Sequence, residues 1–213
     1  MERWLLVGAL WSEVSPVLAR MRARRWLGPR LATGVLGGAE IALLRSGVGP
    51  ARAKARTAAA LERWDATRVL SFGTSGALTA DHALGAVLTG HRAATEQGPP
   101  RALSPLPGVP AVAIASVRHV VCTPTRRDAL AAAGFDICEM ECVGVLEAAG
   151  GRPVHALKVV SDRAGADADP ALPGSGIPSP GRLLRSQLRA AALVHGRLLP
   201  ALEGCLRLRF EPT

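Results

Sequence analysis

Short apolar runs along the chain alternate with longer stretches of helical period. Trp4–Ala9 is an unbroken apolar run, the pattern of a strand buried on both faces. A helical stretch follows from Ser12-Glu13 to about Arg24, with Ser12 and Ser15 as caps and Pro16 in the first turn. Leu31–Leu36 and Ala39–Arg45 read as paired strands joined at Gly37-Gly38. The turn Ser46-Gly-Val-Gly49 and Pro50 open an Ala-rich helix that runs to Trp64. Arg68–Phe72 is the next buried strand and leads into Gly73-Thr-Ser-Gly76; Leu84–His91 is another. Gln97–Pro110, with five prolines, predicts a loop rather than a linker between domains. Beyond it come a strand at Ala111–Ser116, a helix at Thr125–Ala133, a strand at Phe135–Cys138, a helix at Cys142–Ala149 and a strand at Val154–Val160. Asp162–Gly181 is rich in Gly, Pro and Asp, as suits a loop that closes over a site. A terminal helix from Arg182 to about Leu202 carries leucines for one buried face. No segment repeats. The alternation predicts one three-layer α/β/α domain over residues 1–213, built on a central twisted mixed sheet.

Composition narrows the chemistry. With 213 residues, 48% of them hydrophobic, the chain can bury one sizeable core, and disorder is excluded. Tyr is absent and aromatics are few, so any bound ring must rest mainly on aliphatic and backbone groups. The net charge of +9 is carried almost entirely by Arg, the lysines being Lys54 and Lys158 alone. The densest basic cluster, Arg20–Arg25, falls on the expected first helix and lacks interleaved aromatics, so it reads as a solvated face and no nucleic-acid partner is expected. The longest apolar runs are too short to span a membrane, and Glu13 disrupts the one resemblance to a signal peptide; a cytoplasmic protein is expected.

Cys122, Cys138, Cys142 and Cys205 form no C-x-x-C and no zinc spacing, which predicts free thiols and no metal. No cofactor motif is present, and the five histidines are scattered. Asp167-x-Asp169 lacks the spacing of a calcium loop. Chemistry concentrates instead at two strand ends. Glu139-Met140-Glu141 lies between a strand and a helix; carboxylates there can accept hydrogen bonds from sugar hydroxyls, and Met offers an adaptable apolar floor. Ser161-Asp162 ends the Val154–Val160 strand, the position at which ligand sites gather in α/β sheets.

Five short motifs in order, Val-Gly-Ala-x-x-Ser-Glu13, Ser46-Gly-Val-Gly49, Gly73-Thr-Ser-Gly-Ala-Leu78, Glu139-Met-Glu141 and Ser161-Asp162, resemble those of the purine nucleoside phosphorylase and nucleosidase superfamily. The nearest likeness is to the 5′-methylthioadenosine/S-adenosylhomocysteine nucleosidases. The resemblance implies a twisted mixed sheet, assembly as a homo-oligomer (a dimer first), a small purine nucleoside as ligand, and cleavage of its N-ribosidic bond. It assigns purine protonation to Asp162 with Ser161 beside it, ribose binding to Glu141 with Met140 packed on the sugar, and a place beside them to Glu139. It assigns the attacking water to Glu13, places Ala9, Gly73 and Thr74 around the same site, and sets Lys158 to hold the water-site carboxylate.

The sequence departs from that pattern in one place and chooses within it in another. Nucleosidases set an aromatic against the purine after the Ala111–Ser116 strand, whereas Arg118–Asp128 contains none. The phosphorylase branch carries an early Gly-Asp-Pro loop and an Arg before the central Gly turn, where this chain has Ser12-Glu13-Val14 and Ser71-Phe72. Water is therefore the expected acceptor and an adenosine-derived nucleoside the expected substrate. The alternatives are a phosphorolytic enzyme, including the hopanoid-associated type, a futalosine hydrolase-like enzyme, and a non-catalytic nucleotide or nucleic-acid binder.

Overall fold

The computed structural model describes residues 2–164 and 180–208, with side chains of the second segment from Leu184 onward. Most of the Gly/Pro-rich stretch, including Asp167 and Asp169, lies outside the described residues.

Strand β1 (Arg3–Gly8) sits near the middle of the sheet, parallel to β4 (Ala39–Arg45) on one side and β5 (Arg68–Ala77) on the other. Its side chains alternate between two cores, as the period of two requires. Leu5 and Val7 join Val69 and Ala156 on one face, while Trp4 and Leu6 join Leu70 and Leu157 on the other. Each such leucine, fully buried, contributes about 1.5–3 kcal/mol. Helices α2 (Pro50–Arg63) and α4 (Cys142–Ala148) cover the first face, through Ala53, Ala60, Val143 and Val145. The second face is covered by α1 (Trp11–Arg20), α5 (Pro180–Leu193) and α6 (Leu199–Arg207). The expected α/β architecture is therefore present, with one addition.

Half of the sheet closes on itself. Strand β10 (Val154–Arg163) pairs in parallel with β5 and antiparallel with β6 (Val87–Ala94). Strand β6 also holds the two-residue β7 (Arg101–Ala102) and runs parallel to β8 (Ala111–Ser116). The short β9 (Ile137–Glu139) joins β8 back to β5. This ring brings the ends of β5, β9 and β10 together, which an open sheet does not do. A short helix, α3 (Pro124–Ala132), capped by the Thr123 hydroxyl, stands between β8 and β9.

Strands β5 and β10 run past their expected ends, β5 through Gly73-Thr-Ser-Gly76 to Ala77 and β10 on to Arg163, and three further elements differ from the expected ones. The first helix ends at Arg20, and Arg22–Gly28 is an edge strand, β2, paired with β3 (Leu31–Leu36), which in turn pairs with β4. Arg22–Trp26 are all exposed, so no helical or strand period marks them, and pairing with β3 decides their conformation. The basic cluster thus lies largely on a strand and not on a helix. Strand β6 begins three residues later than expected, after a turn at Gly85 with φ of 81°. The terminal helix is interrupted by a π turn at Val194–Leu198, two residues before Pro200, whose missing N–H cannot continue an α ladder.

Helices α2 and α4 meet closely at Gly144. A Cβ there would collide with the Pro50 carbonyl, so glycine is what lets the start of α2 rest on α4. That contact sets the Gly49 N–H against Glu141.

Candidate active site

A cavity of ≈ 160 Å³ opens where β1, β5 and β10 end, and Ala9, Glu13, Thr74, Glu139, Met140, Glu141, Ser161 and Asp162 all line it. Of the expected site residues, only Gly73 and Lys158 stand behind the wall rather than in it.

Glu13 is the third residue of α1 and is 4% exposed. One carboxylate oxygen accepts the N–H groups of Ala9 and Leu10, both at 3.0 Å. The other accepts the Thr74 N–H at 2.9 Å and the Thr74 hydroxyl at 3.0 Å. The reach back to Leu10 is half of a capping box, so Leu10 takes the cap position expected for Ser12 or Ser15. Ser12 instead donates to Gln187 of α5 at 2.6 Å. Gly73, with φ of 148°, makes room for this carboxylate: a Cβ there would lie 2.5 Å from Glu13 Oε1. Glu13 thus bridges β1 and β5 through donors that carry no formal charge.

Lys158 is turned elsewhere. Its ammonium, fully buried, donates to Glu139 Oε2 at 2.8 Å and to Ser71 Oγ at 3.0 Å. The pairing with Glu13 that the family resemblance implies is replaced by one with Glu139. Lys158 faces Gly73 in the β10–β5 register, which leaves its side chain beneath the cavity, where β9 delivers Glu139. Burial opposes the lysine's charge, but Glu139, Cys142 and Glu141 together outweigh it, and the ammonium is held protonated well above its usual range. Glu139 also accepts the Ser116 hydroxyl at 2.5 Å and the N–H groups of Glu141 and Cys142. Its oxygens are committed to the protein, so although Glu139 borders the cavity it acts as the brace for Glu141.

Glu141 lies immediately before α4, and its Oε1 accepts the Gly49 N–H at 2.9 Å. Burial, and next the charge of Glu139, push its carboxyl up to about 8, with Lys158 pulling the other way. Two carboxylates so close cannot both ionise cheaply; Lys158 pairs with Glu139, and it is Glu141 whose carboxyl is raised.

At the opposite wall, a bulge in β10 between Val160 and Asp162 breaks the alternation, and both Ser161 and Asp162 border the cavity. The Ser161 hydroxyl donates to Asp162 Oδ1 at 2.6 Å and lies 3.2 Å from the Ser75 carbonyl. Gly76 keeps this corner open, since a Cβ would sit 3.3 Å from Asp162 Oδ2 and Cys138 Sγ. The Cys138 thiol is pushed up to about 12 by burial and then by Asp162 and Glu139, so it is a neutral wall group and not a nucleophile.

Residues that pattern alone did not single out complete the site. Val117, Val120 and Val121 form an aliphatic wall after β8, in and beside the Arg118–Asp128 segment that lacks the family's aromatic; Leu10 and Val48 close the cavity near Glu13 and Glu141. Ser116 and Ser71 serve as second partners of Glu139 and Lys158. The Ser46–Gly49 turn was visible as a glycine motif; its role through the Gly49 N–H was not. Among the described residues no group of three or more metal-ligating side chains occurs, and no helix is long and apolar enough to cross a membrane.

Four carboxylates, one of them braced by Lys158, an apolar methionine floor and an aliphatic wall around one cavity are suited to a polar, hydroxyl-bearing ring attached to a flat apolar one. Solved structures with this fold include S-adenosylhomocysteine nucleosidase from Streptococcus pyogenes, 19% identical, with a TM-score of 0.76 over 95% of this chain and 97% of that one. The 5′-methylthioadenosine/S-adenosylhomocysteine nucleosidase from Neisseria meningitidis is 17% identical, with a TM-score of 0.75 over 96% and 100%. Futalosine hydrolase of Helicobacter pylori is 18% identical, with a TM-score of 0.70 over 94% and 98%. No curated protein matches the chain by sequence. The sequence profile of the phosphorylase superfamily matches residues 7–118, the segment from the end of β1 through β8 that supplies Glu13, Gly73 and Thr74. With more than half of its length matched and the fold shared throughout, the chain belongs to the phosphorylase superfamily.

Proposed function

We propose that this chain is a nucleosidase that hydrolyses the N-ribosidic bond of an adenosine-derived purine nucleoside and releases the free base. One domain spanning residues 1–213, acting in the cytoplasm as a homo-oligomer, belongs to the same proposal. The observation that carries it is the convergence of Glu13, Glu141 and Asp162 on one cavity with Met140 between the acids.

The chemistry divides among them. Breaking the bond leaves positive charge on the ribose and an electron pair on the base. Asp162, oriented by the Ser161 hydroxyl, donates a proton or a strong hydrogen bond to N7 of the departing purine. Glu141 accepts hydrogen bonds from ribose hydroxyls in its ionised form, and Met140 packs on the sugar. Glu13 holds a water and takes its proton as the oxygen bonds to C1′, as a carboxylate does in glycoside hydrolysis. Lys158 and Glu139 position Glu141 from beneath. The valine wall offers the base aliphatic contact in place of a stacked aromatic. The names of the structural relatives, two nucleosidases and a futalosine hydrolase, support a nucleosidase.

The test is release of free base from a panel of purine nucleosides with and without phosphate. Expected are base release without phosphate, a free sugar product, and a loss of roughly 10²–10⁴-fold in kcat for Glu13→Gln in a folded protein. A requirement for phosphate with a sugar 1-phosphate as product would replace hydrolysis by phosphorolysis. Binding without turnover would leave a non-catalytic binder.

A further inference from the structure

The basic cluster of the sequence has no part in the cavity. Arg22, Arg24 and Arg25 lie on the exposed edge strand β2, next to Trp26. Trp26 is 55% exposed, and Trp11, at the start of α1, is 52% exposed. These two rings are the most exposed aromatic side chains among the described residues, and they border the same apolar groove, floored by Val14, Leu18, Pro29 and Leu43. Arg30 and Arg45 stand in its rim. The Arg45 guanidinium lies 5.5 Å from the Trp11 ring centre, with a buried Nε that has no hydrogen-bond partner.

Charge on this face is one-sided. Arg22, Arg24 and Arg25 on β2 and Arg30 and Arg45 at the rim bring five positive charges to the groove, no acid among the described residues lines it, and Glu203, which borders Arg22, pairs with Arg20. Glu40 lies 3.8 Å from Arg3, away from the groove. Among the described residues none of Arg22, Arg24, Arg25, Arg30 and Arg45 has an ion-pair partner.

An edge strand gains protection from strand addition when it carries charge, and this accounts for arginines on β2. It does not account for two half-exposed tryptophans beside them. A second copy related by a two-fold axis would set arginine against arginine across this groove. A surface that is both anionic and apolar just beneath is the complementary one. Trp prefers the headgroup layer of a bilayer, and guanidinium groups pair with lipid phosphates. A bulge in β2, with Ala23 at φ of 50°, turns its arginines out of simple alternation, so that five consecutive residues face solvent.

We propose that the face formed by β2, the turn at Arg30 and the start of α1 docks on the surface of an anionic lipid bilayer, with Trp11 and Trp26 in the headgroup layer and the arginines on lipid phosphates. Leu10 lines the cavity and Trp11 follows it directly, so docking brings the mouth of the active site to the bilayer surface.

Co-sedimentation of the full chain with vesicles of phosphatidylglycerol and phosphatidylcholine, against pure phosphatidylcholine, tests this. Binding is expected only to the anionic vesicles, falling steeply with salt, with a blue shift of tryptophan emission. Arg22→Gln, Arg24→Gln and Arg25→Gln together should weaken partitioning roughly 100-fold at low salt, about five-fold for each charge. Trp26→Ala should weaken it and abolish most of the blue shift, while cleavage of a soluble nucleoside stays at the parent rate in both variants. Equal binding to neutral vesicles, or no binding to anionic ones, overturns the proposal. So does a dimer in analytical ultracentrifugation that Trp26→Ala dissociates, which makes a second copy the occupant. Single-stranded DNA binding that exceeds vesicle binding at the same salt assigns the face to nucleic acid instead.

Discussion

Replacing Lys158 by Met removes one charge from the most deeply buried ion pair among the described residues and leaves the shape nearly unchanged. The lysine is 1% exposed and Glu139 is 5% exposed, at 2.8 Å from each other. Breaking such a pair from one side costs about 3–5 kcal/mol, because the remaining charge stays buried. Glu139 keeps the Ser116 hydroxyl and two backbone N–H groups, so the lower end, about 3 kcal/mol, is expected. For a domain of this size that is a fall of roughly 6–12 °C in Tm. The double variant Lys158→Met, Glu139→Gln removes both charges and should recover all but about 1 kcal/mol in urea denaturation followed by circular dichroism. The lysine also lowers the proton affinity of Glu141, so in Lys158→Met the acid limb of kcat/KM should move to higher pH. A single variant within about 1 kcal/mol of the parent refutes the pair as a structural element. A large loss of stability with an unmoved acid limb refutes its role in poising Glu141.

Four further outcomes follow from the same geometry. Glu141 titrates near 8 in the fold against 4.5 without it, so the folded protein holds the extra proton between those values and stability falls as pH rises from about 4.5 to about 8; Glu141→Gln should flatten that slope in thermal melts while abolishing productive ribose binding. Because hydroxyl binding by Glu141 uses its ionised form, kcat/KM of the parent should climb with pH up to about 8, and a flat profile from 6 to 9 would remove Glu141 from substrate binding. Asp162→Asn should lower kcat by roughly 10²–10⁴-fold with Tm little changed; near-parental turnover excludes it as the acid. Gly73→Ala places a methyl 2.5 Å from Glu13 Oε1 and a side chain at positive φ, so it should cost about 1 kcal/mol or more of stability and lower turnover further than any stability loss explains, as measured by kcat at temperatures where the variant is fully folded.

What the sequence made legible is what sits at the end of an unbroken apolar run. Leu5-Leu6, Val69-Leu70 and Ala156-Leu157 announce strands buried on both faces, and the acids just beyond such runs, Glu13 and Asp162, fall where parallel strands deliver ligands. Glu141 was legible for a related reason, as an acid opening a helix after a short strand. Strand β2 was not, because five consecutive exposed residues leave no period to detect and its conformation comes from β3. The closure of β9 between β8 and β5 was not either, since a three-residue strand has too few positions to state its neighbours. That closure decides the fate of Lys158. In sequence three carboxylates compete for the one buried lysine, and family likeness points it at Glu13. In the fold β9 brings Glu139 under the cavity, within 2.8 Å of the ammonium, while Glu13 accepts hydrogen bonds from four neutral donor groups of Ala9, Leu10 and Thr74 and faces the cavity. A buried ammonium needs a carboxylate within hydrogen-bond reach, and the register of β10 and β9 puts Glu139 there. The consequence is a division of charge: Glu139 carries the negative charge that Lys158 balances, Glu13 relies on peptide and hydroxyl dipoles, and Glu141, adjacent to both, is left as the carboxyl whose proton can come and go near neutral pH.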